Sequence, residues 1–595
     1  MQRKILSSCT PEYNLVPNDK TKLTFNVHLR APEVQDEDGK RPTVALSAVI
    51  DTSGSMEGSK LQLVKESCNF ILDQMSAKDK LGLVEYNTVC REVFALSRAS
   101  EGFKPEASRL IQRLEAESRT NLSGGLFLGF EQQQKNKYLD WEPEEDEDKL
   151  KQEETPRQAE EADGISEQSS FVEVNMRDDD SFSEASMVEA PAEDKATDPT
   201  LCPPPPQPKR TAVSQLAAMK RARFAPAPLH QGRTPQPPAG LSAGLFAGRA
   251  APNETRLEEE AVRSIFLFTD GLANEGLTRQ DKLVDTLTRL LASTTPPPRV
   301  CTFGFGEDHS AELLGELAKA GAGTYYFIDK EEGIATAFAD ALGGLLSVAA
   351  QNVTLEFQPA EGVQTGAVHT PFATTRTGAG AVTVAVGDLF SEEGKDVLFD
   401  VELPPVPADG CQDYCVGTLR LSYLDVEGCV LASELLPCQV RRLHAAPAAP
   451  PDAKVAVQRA RVETAAAMVK AEAAAASGNR AEAAQSLRGA MAALSLVEAQ
   501  AGLAQVDAEL MAQLRWDCEE AAQNVATAEA YSGRGGKVLQ AKMRAHAQQR
   551  TCALEDMDYL AAGAPVSRGP VTHTYATPTQ LCYRGIASKK VGKSA

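Results

Sequence analysis

Thr43-Val-Ala-Leu-Ser-Ala-Val-Ile50, followed without a break by Asp51-Thr-Ser-Gly-Ser55, is the stretch on which the reading of this chain turns. A continuous run dominated by apolar side chains predicts a strand buried on both faces, as in the middle of a parallel sheet. Leu61, Val64, Cys68, Ile71 and Leu72 then recur at helical spacing. Further along, Leu81-Gly-Leu-Val-Glu-Tyr86, Ser264-Ile-Phe-Leu-Phe-Thr269, Val300-Cys-Thr-Phe303 and Thr324-Tyr-Tyr-Phe327 read as strands, and Arg109 to Glu117 and Gly333 to Leu346 as helical. This alternation predicts an α/β domain over 43–347 with a doubly wound, Rossmann-like sheet.

One long segment, 134–260, interrupts the domain. Between Trp141 and Thr200 it carries 21 Asp and Glu against 5 Lys and Arg, a local charge of −16. From Leu201 to Arg256 the balance reverses to 8 basic residues against 1 acidic, with the prolines of Cys202-Pro-Pro-Pro-Pro206. Such a composition cannot bury enough apolar surface to offset chain entropy, so a disordered surface insertion is expected.

On either side the period changes. Val353 to Phe357, Val382 to Val386, Val397 to Val401 and Thr418 to Tyr423 alternate, which predicts a β-sandwich over 348–445. Lys22 to Leu29 alternates too, so segment 1–42 is expected to lend a strand to that sandwich, making the α/β domain an insertion within it. Residues 452–549 are alanine-rich and broken at Ser477-Gly-Asn479, as in a helical hairpin or small bundle. The Gly-, Pro- and Lys-containing residues 550–595 read as a flexible tail.

Composition narrows the function classes. Over 595 residues, 61 Lys and Arg against 83 Asp and Glu give a net charge of −22, which speaks against broad binding to nucleic acid or anionic lipid. No window has the roughly 18 uncharged apolar residues of a membrane span. The opening Met1-Gln-Arg-Lys-Ile-Leu-Ser-Ser-Cys9 lacks the apolar core of a secretory leader, and the 12 cysteines are sparse, so a cytoplasmic protein with free thiols is expected. Seven scattered histidines and no CxxC pair argue against zinc.

In a doubly wound sheet, ligands meet the loops at the carboxyl ends of the strands. Asp51, Ser53 and Ser55 follow the first strand, Thr120 of Arg119-Thr-Asn-Leu-Ser123 precedes a helix, and Asp270 of Thr269-Asp-Gly271 ends another strand. Two carboxylates and three hydroxyls, with no His or Cys, form a hard oxygen set suited to Mg²⁺, with Mn²⁺ and Ca²⁺ as the alternatives. Such a set does not fully neutralise a dication, leaving a position that the Asp or Glu side chain of a partner could complete. Ser and Thr capping helices and Asp stabilising turns would be the plainer reading.

Asp51-Thr-Ser-Gly-Ser55, Thr120-Asn121 and Thr269-Asp270-Gly271 resemble the metal-ion-dependent adhesion site of von Willebrand factor type A domains. The similarity extends through Cys301-Thr-Phe-Gly-Phe-Gly306, Gly323-Thr-Tyr-Tyr-Phe327 and Gly343-Gly-Leu-Leu-Ser347. It implies hydroxyl ligands at Ser53, Ser55 and Thr120, and carboxylates at Asp51 and Asp270 acting largely through water. Arg119, Asn121 and Gly271 would border the ligand; Arg119 stands where many relatives have Gly. The β region around Val386-Gly-Asp-Leu-Phe390 and the helical end resemble intracellular plant and algal members. Some of those carry a RING finger and act as ubiquitin ligases, but this chain has no RING cysteine pattern.

Lys209-Arg210 and Lys220-Arg-Ala-Arg223 loosely match a bipartite nuclear import signal, with charge balance inside the insertion as the plainer reading. No nucleophile set, phosphate loop or second metal site can be assembled. The expectation is therefore a non-enzymatic protein-interaction module with a Mg²⁺-held partner carboxylate. A structural scaffold, a ubiquitin-pathway adaptor and a metal-dependent hydrolase are the alternatives. The partner and the oligomeric state are not encoded in any motif.

Overall fold

The computed structural model describes residues 4–34, 41–134, 261–378, 380–407, 412–425, 430–433, 435–444, 449–499, 504–551 and 574–591. The expected insertion, apart from its first residue, lies outside them, and so do both basic clusters.

Three strands come first: β1 (Leu6–Pro11), β2 (Leu15–Pro17) and β3 (Thr21–Arg30). The chain then enters the α/β domain with β4 (Val44–Asp51), every residue of which is buried. Helix α1 (Ser59–Gln74) follows, then β5 (Lys80–Tyr86), β6 (Cys90–Arg98), α2 (Phe103–Gln112) and α3 (Leu122–Gln134). Beyond the insertion come β7 (Val262–Thr269), α4 (Gln280–Ala292), β8 (Arg299–Phe305), α5 (Ala311–Ala320), β9 (Ala322–Ile328) and α6 (Gly333–Leu346).

The strand order is β6-β5-β4-β7-β8-β9, parallel throughout except for the antiparallel edge strand β6. Alternate residues of β4 serve opposite faces. Leu46, Ala48 and Ile50 pack against α1, α2 and α6 through Leu61, Val64, Ile111 and Phe338. Val49 faces the other way, toward Leu126 and Phe130 of α3 and the core that Leu287 and Leu317 complete. This two-sided burial is why the run from Thr43 to Ile50 shows no polar–apolar alternation.

The α/β domain departs from the sequence reading at several points, among them helix α4, for which no pattern was read. Strand β6 was not anticipated, because its half-buried edge position leaves only a weak apolar pattern. The helix expected over Arg109 to Glu117 is α2, ending at Gln112. Its expected second half is instead drawn toward the loop after β4: the Glu117 N–H donates to the Thr52 carbonyl at 2.8 Å, and the Gly54 N–H to that of Ser118 at 3.1 Å.

The sandwich is completed by β10 (Val348–Pro359), β11 (Gln364–His369), β12 (Ala373–Arg376), β13 (Val382–Phe390), β14 (Gly394–Leu403), β15 (Gln412–Asp425), β16 (Val430–Ala432) and β17 (Leu436–Leu443). One sheet has the order β1-β3-β14-β11; the other runs β12-β13-β10-β15-β17-β2, with β16 pairing β15. β3 lies antiparallel to β14 along its full length, from Thr21 opposite Leu403 to Arg30 opposite Gly394. The α/β domain is therefore inserted between β3 and β10. Phe25 stacks on Phe399 at 5.6 Å between ring centres, inside a core shared with Leu355, Phe357 and Leu419 of the second sheet.

The helical region contains α7 (Ala453–Ala476), α8 (Arg480–Glu498), α9 (Gln505–Asn524) and α10 (Gly536–Gln548). Asp452 caps α7, accepting from the Lys454 and Val455 N–H groups at 3.0 and 3.2 Å, and Asn479 caps α8 after the expected break. Small side chains such as Ala471, Ala474 and Ala483 form the contact between them. Helix α10 also leans on the α/β domain, where Val538 and Ala541 join the core of Leu314, Leu317 and Phe327.

The expected flexible tail needs correction. Within it, Pro578–Val591 forms α11, seated on α6. The buried Asp340 of α6 accepts from Arg584 Nε at 2.8 Å and from Gln580 Nε2 at 3.1 Å, and Ala587 is buried beside them. A helix that docks through an arginine and a glutamine leaves little apolar periodicity to read.

Candidate metal centre

β4 and β7 are neighbours in the sheet and run parallel, with Ile50 opposite Phe268. Their carboxyl ends therefore deliver Asp51 and Asp270 to one place, and both side chains are buried. The loop after β4 folds back over them. Its Ser53 N–H donates to Asp51 Oδ1 at 2.9 Å, while Thr269 Oγ1 donates to Asp51 Oδ2 at 2.7 Å. Ser53 Oγ and Ser55 Oγ are 3.1 Å apart, and Ser55 Oγ donates to Asp270 Oδ1 at 2.6 Å.

Thr120 reaches the same place by a different route. Its N–H donates to Asn274 Oδ1 at 2.8 Å, and its carbonyl accepts from the Asn274 and Glu275 N–H groups at 3.1 and 3.2 Å. These bonds hold the segment before α3 against the loop after β7. At Gly271 a Cβ would meet Ser55 Oγ and Thr120 Oγ1, each at 3.8 Å, so the two hydroxyls flank one small space. Asp51, Ser53, Ser55, Thr120 and Asp270 thus converge, although they come from three separate stretches of sequence.

The residues expected at the border are arranged differently. Asn121 Oδ1 accepts from the Gly124 N–H at 2.9 Å and from Ser123 Oγ at 3.1 Å, so this side chain caps α3. Arg119 is 72% exposed and its guanidinium lies 3.7 Å from Glu275. Leu272, next to Gly271, is 58% exposed and puts an apolar side chain on the rim.

Sequence reasoning missed Lys60. From the first turn of α1 its ammonium donates to Asp270 Oδ2 at 2.8 Å and to the Ser55 carbonyl at 3.1 Å, and lies 5.2 Å from the centre of the Phe305 ring. No motif marks it; its distance from Asp51 in sequence is bridged only by the turn between β4 and α1. Burial pushes the Asp51 carboxyl up to about 6, against the pull of its Ser53 and Thr269 hydrogen bonds, and the Asp270 charge adds to the rise.

The donor chemistry fits a hard cation. Two buried carboxylates share the space with three hydroxyls, and the ammonium of Lys60 already holds one of the carboxylates. Among the described residues, no cluster of three or more His, Cys, Asp and Glu offers a softer or more acidic site.

The description "von Willebrand factor type A domain" matches residues 46–149 and again 248–327, two stretches that reach into the insertion from its two ends. An uncharacterized protein of Synechocystis is 28% identical over 121 residues, 20% of this chain and 27% of that protein. The E3 ubiquitin-protein ligase WAVH1 of Arabidopsis thaliana is 25% identical over 113 residues, 18% of this chain and 16% of the relative. The chain thus spans less than a third of the length of these curated relatives. Among solved structures, a von Willebrand factor type A protein from Catenulispora acidiphila superposes with a TM-score of 0.52 at 15% identity, covering 86% of this chain and 89% of that one. That likeness concerns the fold, and its reach takes in far more than the α/β domain. The two matches, on the sheet described above, show that the chain carries a von Willebrand factor type A domain.

Proposed function

We propose that this protein is an interaction module that captures an acidic side chain of a protein partner through a cation held by Asp51, Ser53, Ser55, Thr120 and Asp270. The observation that carries this reading is the pair of buried carboxylates, Asp51 and Asp270, meeting hydroxyls at the carboxyl ends of β4 and β7. Mg²⁺ bound there would supply an electrophilic position open to a carboxylate oxygen. Asp51 is held in place by Thr269 and the Ser53 N–H, and Asp270 by Ser55, so both carboxylates are positioned before a cation arrives. Lys60 supplies positive charge to Asp270 in the metal-free site and so competes with an incoming dication. Leu272 and Arg119 on the rim favour a partner whose acidic residue is flanked by an apolar one and by a further negative charge.

The ubiquitin-ligase activity in the name of the Arabidopsis relative is not carried over, since the match covers 16% of that protein. Calorimetric titration with Mn²⁺, followed by affinity capture in Mg²⁺ or EDTA, tests the reading. Wild type should bind one Mn²⁺ and retain partners only with Mg²⁺, and the Asp51→Ala plus Ser53→Ala variant should do neither while still melting cooperatively. Partner sets that are the same in all four captures would sink it in favour of a metal-independent scaffold.

A further inference from the structure

Away from the metal centre, two cysteines meet across the sandwich. Cys9 belongs to β1, at the edge of the first sheet, where it lies opposite Val27 of β3. Cys438 belongs to β17 of the second sheet and is 1% exposed. Their Sγ atoms are 3.0 Å apart, closer than ordinary van der Waals contact between sulfurs, although 429 residues separate them in sequence. The backbone there is fixed independently of the sulfurs. The Ile5 N–H donates to the Tyr423 hydroxyl of the second sheet at 3.2 Å, and Arg441 to Leu443 of β17 pair with Leu15 to Pro17 of β2. The N-terminal chain therefore crosses from one sheet to the other beside this cysteine pair.

We infer that Cys9 and Cys438 form a disulfide that staples the two sheets together when the chain meets an oxidising thiol buffer. The two sulfurs face each other from opposite sheets, so bonding requires them to close a gap of about an ångström. Glutathione disulfide is a sufficient oxidant. The Cys9 thiolate attacks one of its sulfurs and releases one glutathione, leaving a mixed disulfide. Cys438, giving up its own proton, then displaces the second glutathione and the Cys9–Cys438 bond forms. Two protein thiols are thereby oxidised and one glutathione disulfide is reduced to two glutathiones. The pairing with Cys438 and burial hold the Cys9 thiol well above its usual pKa. Exchange in the folded protein is accordingly slow, and closure is fastest while the sandwich assembles. Once formed, the bond is shielded by the same burial from reductants.

The test uses the full chain, refolded from denaturant in a glutathione redox buffer and, in parallel, incubated folded in the same buffer. Free thiols are then blocked with iodoacetamide and the digest is searched for linked peptides. A Cys9–Cys438 peptide is expected in the refolded sample, together with a melting temperature about 4 °C or more above that of the dithiothreitol-treated protein. Cys9→Ser should lack both the peptide and the shift. Should that variant not fold, Cys438→Ala provides the same control. Complete alkylation of Cys9 and Cys438 in both samples, or linkage of either to another cysteine, would overturn the inference.

Discussion

Two sets of buried carboxylates in this protein are neutralised in opposite ways. Where the sandwich meets the helical end, Glu393 is held by Arg550 at 2.8 Å and by Lys395 at 2.7 Å, and Arg550 comes from beyond α10. Burial alone would raise the Glu393 carboxyl, but those two cations outweigh it and hold it down at about 2. Asp340 is likewise met by Arg584 of α11, and the half-buried Asp388 by Arg299 of β8 at 2.7 Å. At the candidate metal centre Asp51 has hydroxyl and amide donors but, among the described residues, no such cation, and burial lifts it to about 6. The contrast separates structural charge from working charge. The junctions supply a counter-ion for each carboxylate, whereas the centre has Lys60 on Asp270 and none on Asp51, the charge that the proposed cation would meet.

The largest expected effect lies at a junction. Arg584→Ala strands the Asp340 carboxylate without its guanidinium and should cost about 3–5 kcal/mol in urea unfolding. A loss below about 1 kcal/mol would mean that Gln580 and Tyr326, whose hydroxyl donates to Asp340 Oδ2 at 3.0 Å, suffice to hold Asp340. At the centre the same kind of experiment should turn on added metal. Mg²⁺ or Mn²⁺ at a hundred times its dissociation constant should stabilise wild type by about 2.7 kcal/mol. Asp51→Asn should respond to neither ion, and an equal response would locate the binding elsewhere.

Next comes pH, in EDTA. The folded Asp51 carboxyl keeps its proton up to about 6, whereas its ordinary value is 3.8, so the folded state binds more protons in that window. Stability should therefore fall as pH rises from 3.8 to 6. Above that window Asp51→Asn should be more stable than wild type by about 1–3 kcal/mol, as melts across pH would show. Glu393 carries the reverse sign. Its contribution is complete above 4.5 and is lost as pH falls toward 2. A wild-type profile that Asp51→Asn leaves unchanged would contradict the assignment.

Smaller still is the Lys60 effect. Lys60→Gln removes a competing cation and should tighten Mn²⁺ about tenfold by titration, or about 1.4 kcal/mol. Unchanged or weaker affinity would make Lys60 an aid to Asp270 instead of a rival to the ion. Arg119→Ala, at an exposed position, should change stability by no more than about 0.5 kcal/mol and show itself only in partner affinity.

Much of the fold was legible because strands buried on both faces leave unbroken apolar runs, as from Thr43 to Ile50 and from Ser264 to Thr269. The strand that β3 gives to the sandwich was legible from the alternation of Lys22 to Leu29. The meeting of Asp51, Ser53, Ser55, Thr120 and Asp270 was legible because each stands just after a strand or just before a helix. Lys60 was not, since a lysine in the first turn of a helix looks like any solvated side chain until the fold turns it toward Asp270. Helix α11 escaped for a related reason. Its buried positions include Gln580 and Arg584, and a polar face docked on a buried carboxylate looks like surface in a one-dimensional pattern.

The insertion of the α/β domain between β3 and β10 also sets an order of events during synthesis. Asn26 of β3 donates to Asp396 of β14 across the first sheet, and the two are 370 residues apart. At the usual pace of translation, β3 leaves the ribosome about 20–75 s before that partner exists. For most of that interval Phe25, Val27 and Leu29 have β1 beside them but not the second sheet, while the type A strands up to β9 emerge in succession; β10 to β13 follow shortly before Asp396. Strands β1 and β3 are thus made well before they are enclosed, and during this interval their apolar side chains are open to capture by chaperones or by neighbouring chains.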